Sequence, residues 1–168
     1  KAVDLGRQEQ CDFVLAVGGG SVIDASKLII AAMCSDQDPW DIVCAGKHRG
    51  EHLPLGVVLT IPATGSEMNS GGVISCRETQ EKYSFSSKHP CFAILDPHVP
   101  TSLPPYQVAC GLADTFVHVM EQYMTTMRSP LLMDRMAEGV LQTLIEIAPG
   151  LTHNHQDVDL MGEFMLCA

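Results

Sequence analysis

Short apolar runs alternate with helical stretches through the first half of the chain, the pattern of a parallel or mixed sheet with helices on its faces. Phe13-Val14-Leu15-Ala16-Val17 is continuously apolar and closed by glycines, so it predicts a buried central strand; Leu55 to Thr60, rich in valine, predicts a second. Between them, Val22 to Met33 has helical length and good helix formers, with Ser21 placed to cap the first turn. Asp38-Pro39-Trp40 starts a turn or short helix. Residues 72–76 and 82–86 predict a hairpin across the polar stretch RETQE, and Cys91 to Leu95 predicts another buried strand, closed by Asp96-Pro97.

From Pro104 onward helical periodicity takes over, which places a domain boundary between Pro97 and Pro104 and divides the chain into residues 1–100 and 101–168. Ser129-Pro130 is a cap-plus-first-turn pair for a helix in which Met133, Met136, Ala137, Val140, Leu141, Leu144 and Ile147 share a face, until Pro149-Gly150 stops the run. THNHQDVD reads as a loop and Leu160 to Ala168 as the beginning of a further helix. A pattern broken off there implies more sequence. The expected fold class is α/β, with an N-terminal α/β domain followed by the start of an all-helical one.

Composition narrows the function classes. Hydrophobic residues make up 46% and charged residues 18% of the 168, which excludes a disordered chain. A formal charge of -10 without any Lys/Arg cluster excludes a nucleic-acid partner. No apolar run approaches the ~18 residues of a spanning helix and KAVDLGRQEQ lacks the apolar region of a signal peptide, so no membrane partner and a cytoplasmic location are expected. Apolar edges suggest a homodimer. The seven cysteines (Cys11, Cys34, Cys44, Cys76, Cys91, Cys110, Cys167) are odd in number and scattered, and read as reduced packing residues.

VGGGSVIDASK sets glycines and a serine between a strand and a helix, where backbone N–H groups can approach a diphosphate at the positive helix end. It is neither GxGxxG, whose third glycine would fall at Ile23, nor a P-loop. A carboxylate at Asp24, read as first-turn, would repel phosphate and so must point elsewhere; a Ser21/Asp24 capping box is the plainer alternative. A second small-residue loop, TIPATGSEMNSGG, follows the second strand, at the end where ligands of open α/β sheets gather. Thr60, Thr64 and Asn69 there can bond a ribose, carboxamide or phosphate, or simply serve the turn.

Further along, Asp114 and His118 are four apart in a helical pattern, so both project from one face, with Glu121 a turn beyond. A carboxylate with an imidazole suits Zn²⁺ or Fe²⁺ better than Mg²⁺ or Ca²⁺; a hydrogen-bonded Asp–His pair fits the spacing equally. His153 and His155 read as solvated loop residues.

GGGSVIDASK and TIPATGSEMNSGG, followed by AILDP, LPP and GLADTFVHVMEQY, closely resemble the iron-containing alcohol dehydrogenase family, and within it the butanol dehydrogenase and broad-range aldehyde reductase branch. These motifs span nearly the whole chain in order. The resemblance implies an α/β domain binding NADP or NAD, a helical domain holding a divalent metal (iron or zinc), a cleft between them, and an aldehyde or primary alcohol as substrate. By motif, Gly19, Gly20 and Ser21 would hold the diphosphate, and Asp24, Thr60, Thr64, Asn69 and Lys82 would line the ribose and nicotinamide side. Lys82 also reads as a solvated hairpin cation. Asp114 and His118 would ligate the metal, with further ligands expected as histidines beyond Ala168 and a first nucleotide-binding segment expected before Lys1. Those missing parts lead to the expectation that these residues alone do not turn over. The rivals are a glycerol dehydrogenase or dehydroquinate-synthase-like relative, against which the ATGSE motif argues, and a non-catalytic nucleotide-binding fragment.

Overall fold

The computed structural model describes residues 1–125 and 130–168, so the expected Ser129 cap lies outside the described residues. These form two compact units: Lys1–Leu59 with Gly65–Ile94, and Thr60–Thr64 with Leu95–Ala168. The switch thus falls just ahead of the Pro97–Pro104 stretch, and the short segment after the second strand belongs with the helical part.

The first unit is α/β. Helix α1 (Ala2–Gln8) leads to β1 (Val14–Gly18), α2 (Gly20–Met33), α3 (Pro39–Cys44) and β2 (Leu55–Leu59). The hairpin strands β3 (Gly71–Cys76) and β4 (Glu81–Ser86) follow, then β5 (Phe92–Ile94). β1, β2 and β5 make a parallel sheet in that order, with Val14 opposite Leu55 and Gly56 opposite Phe92. β2 is therefore the middle strand, and β1, expected to be central, is an edge among the described residues.

Among the described residues burial is one-sided. The inward residues Ala16 and Gly18 are buried, whereas Leu15 and Val17 on the opposite side are 50% and 56% exposed. β5, also expected to be buried, leaves Phe92 and Ile94 about half exposed. A continuously apolar strand can be covered on both faces, but period-2 geometry commits only alternate residues to any one neighbour. Phe13 and Phe92 stack across Gly56 on the open face, at 6.1 Å between ring centroids.

Helix α2 carries the core. Ile23, Ile30, Ala31 and Ala32 are fully or almost fully buried. Its C-terminal end is closed from α1: the Arg7 guanidinium donates to the carbonyls of Ala32 at 2.7 Å, Met33 at 3.4 Å and Ser35. α2 has no basic residue in its own last turn, so Arg7 supplies the cation that favours that end. Asp38 caps α3 by accepting from the Trp40 amide at 2.8 Å, and Cys76 pairs with Glu81, leaving only RETQ in the hairpin turn.

The second unit is helical: α4 (Pro105–Thr125), α5 (Leu131–His153) and α6 (Val158–Cys167). Val108, Leu112, Leu144, Ile147, Leu151, Met161 and Phe164 form its core. α5 runs through Pro149, where it was expected to stop. An internal proline costs a helix ~3 kcal/mol, but Leu151, wholly buried, continues the stripe of Leu144 and Ile147, and that burial carries the helix another turn. His153 consequently sits exposed in the last turn of α5 rather than in a loop, and α6 begins at Val158, capped by Asp157 accepting from the Leu160 amide. The cysteines are free and none is buried: Cys167 is partly buried and packs against the helical core, Cys76 is intermediate, and the other five are exposed. No helix among the described residues is long and apolar enough to cross a membrane.

Candidate cofactor and metal sites

The chain turns from β1 into α2 through Gly18-Gly19-Gly20. A side chain on Gly18 would meet Val22 at 2.6 Å, so only glycine lets strand and helix approach this closely. Gly19 is the N-cap, extended at φ -89°, and its carbonyl accepts from the Val22 and Ile23 amides. No side chain caps the helix, and Ser21, expected as the cap, is the exposed second residue of the helix itself. The first turn contains no acidic residue; Asp24 lies a turn further in. Glycines without Cβ atoms, an uncapped N-terminus and an exposed hydroxyl fit an anionic ligand such as a diphosphate.

Asp24 does point elsewhere, and the capping box does not form. The side chain is buried and its Oδ2 accepts from the Val73 amide of β3 at 2.9 Å. Asn69 is equally committed to the protein: its Oδ1 accepts from Lys27 Nζ at 3.0 Å and from the Gly71 amide at 2.9 Å, while its Nδ2 donates to the Gly65 carbonyl at 2.9 Å. Gly65, with φ +61°, adopts the left-handed conformation that glycine tolerates best. Lys82, in β4 opposite Ser75, is exposed.

Lys27, to which the sequence pattern assigned no role, is the largest fully buried side chain of the unit. Burial pushes its pKa down, while the charges of Asp24 and Glu67 pull it back up. The signal was present: Ile23, Lys27 and Ile30 recur at helical spacing, placing an ammonium on a buried stripe with Asp24 beside it.

In the helical unit, Thr60 is partly buried and Thr64 exposed. The segment holding them passes across α4 at Gly111, where a Cβ would lie 2.9 Å from the Pro62 carbonyl oxygen. A glycine inside a helix is disfavoured by about 1 kcal/mol unless close packing requires it, and here the Pro62 backbone does. Asp114 and His118 lie further along the same helix, both about half exposed, with Oδ1 and Nε2 3.6 Å apart. That separation is too long for a hydrogen bond. It is close to the ~3.4 Å that two ligands of one tetrahedral ion span at bond lengths of about 2.0–2.2 Å. Among the described residues no third His, Cys, Asp or Glu joins them, so the expected proximity of Glu121 does not make it a ligand.

Comparison with known proteins settles the kinship. The family model for iron-containing alcohol dehydrogenase matches residues 1–97, more than half of the chain. The chain belongs to the iron-containing alcohol dehydrogenase family. It is 46% identical to the NADPH-dependent aldehyde reductase YqhD of Escherichia coli strain K12, over 99% of this chain and 44% of that protein. A probable NADH-dependent butanol dehydrogenase 2 of Bacillus subtilis strain 168 is 45% identical over 95% of this chain and 42% of its own. The crystal structure of NADH-dependent butanol dehydrogenase A from Thermotoga maritima superposes with a TM-score of 0.92 at 35% identity, covering 99% of this chain and 42% of that one. The chain thus spans less than half the length of these relatives, and its kinship lies with the butanol dehydrogenase and aldehyde reductase branch of the family.

Proposed function

We propose that this protein transfers a hydride between NADPH or NADH and an aldehyde or primary alcohol, with a divalent cation at the substrate oxygen. Polarising that oxygen is the chemistry iron or zinc supplies when bound, and hydride donation is that of the nicotinamide. Asp114 and His118 hold the cation from successive turns of α4. The amides around Gly19 and Gly20, with the Ser21 hydroxyl, receive the diphosphate, and Thr60, Thr64 and Lys82 contact the ribose and nicotinamide side. Asp24 and Asn69, whose polar atoms bond Val73, Lys27, Gly65 and Gly71, serve the cofactor by shaping its loop.

The observation that carries the metal reading is the Asp114–His118 pair, four residues apart, half exposed and too far apart to bond each other. The relatives' nicotinamide dependence supports the cofactor reading. Full-length protein should oxidise NADPH or NADH in the presence of butanal and contain a stoichiometric divalent metal. An Asp114→Ala, His118→Ala double variant should lose the metal and at least about 10²-fold in kcat, the scale of removing transition-state charge stabilisation. Metal retention at the parental rate would refute the assignment, and activity on glycerol alone would favour the glycerol dehydrogenase rival.

A further inference from the structure

The bonds made by Lys27 join two loops that are separate in sequence. Its backbone belongs to α2, the helix that opens at the glycine turn; its ammonium leaves that helix to bond Asn69 Oδ1 and the Gly71 carbonyl. Asn69 in turn holds both ends of its own loop, donating to the Gly65 carbonyl and accepting from the Gly71 amide. Next to this, Asp24 accepts the Val73 amide from the same helix face, 3.9 Å from the ammonium. Glu67, also buried, lies in the loop itself and places a second carboxylate near Lys27. The return path is covered as well, since the Ser87 hydroxyl donates to the Lys27 carbonyl.

We infer that Lys27 is a positioning residue of the cofactor site, locking the Gly65–Gly71 loop to the helix that carries the glycine turn. The inference rests on the nicotinamide reading above. It adds a residue that need not touch the cofactor and through which the loop and the helix N-terminus move as one body. A fully buried lysine on an apolar helix face needs partners for its charge, and Asn69, Gly71, Asp24 and Glu67 all stand on α2 or on the 65–71 loop. Pulling the loop away would remove both hydrogen bonds of the ammonium and leave it only Asp24, at 3.9 Å, so the loop is held at a fixed distance from the turn. Lys27 lies about two turns from the start of α2, so the hold on its ammonium reaches Gly19 and Gly20 through a short stretch of one helix.

The test uses full-length protein and NADPH as the probe, with dissociation constants from quenching of reduced-cofactor fluorescence. Lys27→Met should weaken NADPH binding about tenfold or more, or 1.4 kcal/mol, at unchanged metal content. Lys27→Arg, which keeps a cation and several donors, should recover most of that loss. Equal NADPH affinity in parent and Lys27→Met overturns the inference while leaving the cofactor reading intact; failure of the parent itself to bind NADPH or NADH overturns that reading first. Should Lys27→Met not fold, hydrogen exchange on the parent decides. NADPH should slow exchange in the glycine turn and in residues 65–73 together, and protection confined to the turn would refute the coupling.

Discussion

Two charged constellations in this chain have opposite designs. The one around Lys27 is buried, its ammonium hydrogen-bonded to Asn69 and Gly71 and accompanied by Asp24 and Glu67. The other, Asp114 with His118, lies half exposed on α4 and does not close on itself. Removing charge from water is expensive and tolerated only with partners at hand, so the first constellation belongs to the architecture. Groups left in water cost the fold nothing to keep ionisable and remain available to something arriving from outside. Burial, more than residue type, separates the charges that hold the fold from those left open to a ligand.

The sharpest way to break that contrast is to measure stability at both places. Lys27→Met should cost about 3–5 kcal/mol in urea or thermal unfolding, the usual loss when one member of a buried charged set is removed. Asp114→Ala with His118→Ala should stay within about 0.5 kcal/mol of the parent in metal-free buffer, although on the proposed assignment it should abolish metal binding. Comparable losses at the two sites would erase the distinction.

A smaller effect sharpens the picture of α4. Gly111→Ala adds a Cβ that would meet the Pro62 backbone oxygen at 2.9 Å. Helix propensity favours alanine by about 1 kcal/mol, yet overpacking against backbone costs about 1–3 kcal/mol. The variant should therefore be less stable than the parent in denaturant titration; a gain would mean that the Thr60–Thr64 segment gives way freely.

The smallest effect is in pH. Lys27 has a folded pKa below its ordinary 10.5, burial outweighing the attraction of Asp24 and Glu67. Between the folded and unfolded values the unfolded chain binds more protons, so stability rises with pH there. The penalty for burying the charge is fully present below the folded pKa and relieved as pH climbs toward 10.5. Relative to Lys27→Met, the parent should gain stability through that alkaline window, seen as a shift in the difference between their urea midpoints; a flat difference would mean that Lys27 titrates as if solvated.

Much of this was legible in the sequence. The order of strands and helices after α1, which the sequence pattern did not announce, the hairpin and the length of α2 followed from periodicity, and the family from motifs at fixed spacing. What stayed hidden depended on neighbours distant in sequence. Nothing local says which face of β1 α2 covers, because Leu15 and Ala16 are equally apolar and only the position of α2 decides. Pro149 looked like a stop because the burial of Leu151 against α4 and α6 is a tertiary fact. Asp24 and Asn69 have the right chemistry for a ligand, but the bonds of Asp24 to Val73 and of Asn69 to Lys27 exist only once β3 lies beside α2. Of the cysteines read as packing residues, Cys167 does pack against the helical core, while five others are exposed.

Arg7 gives the glycine-turn helix an asymmetry of its own. Its grip on the Ala32, Met33 and Ser35 carbonyls occupies the negative pole of α2, while no side chain occupies the positive one. An anion docking at the open pole therefore meets a helix whose far end is already tied down, and little of the energy of its arrival can leak away as unwinding there. The helix behaves like a pin seated at its base, stiff against whatever presses on its tip.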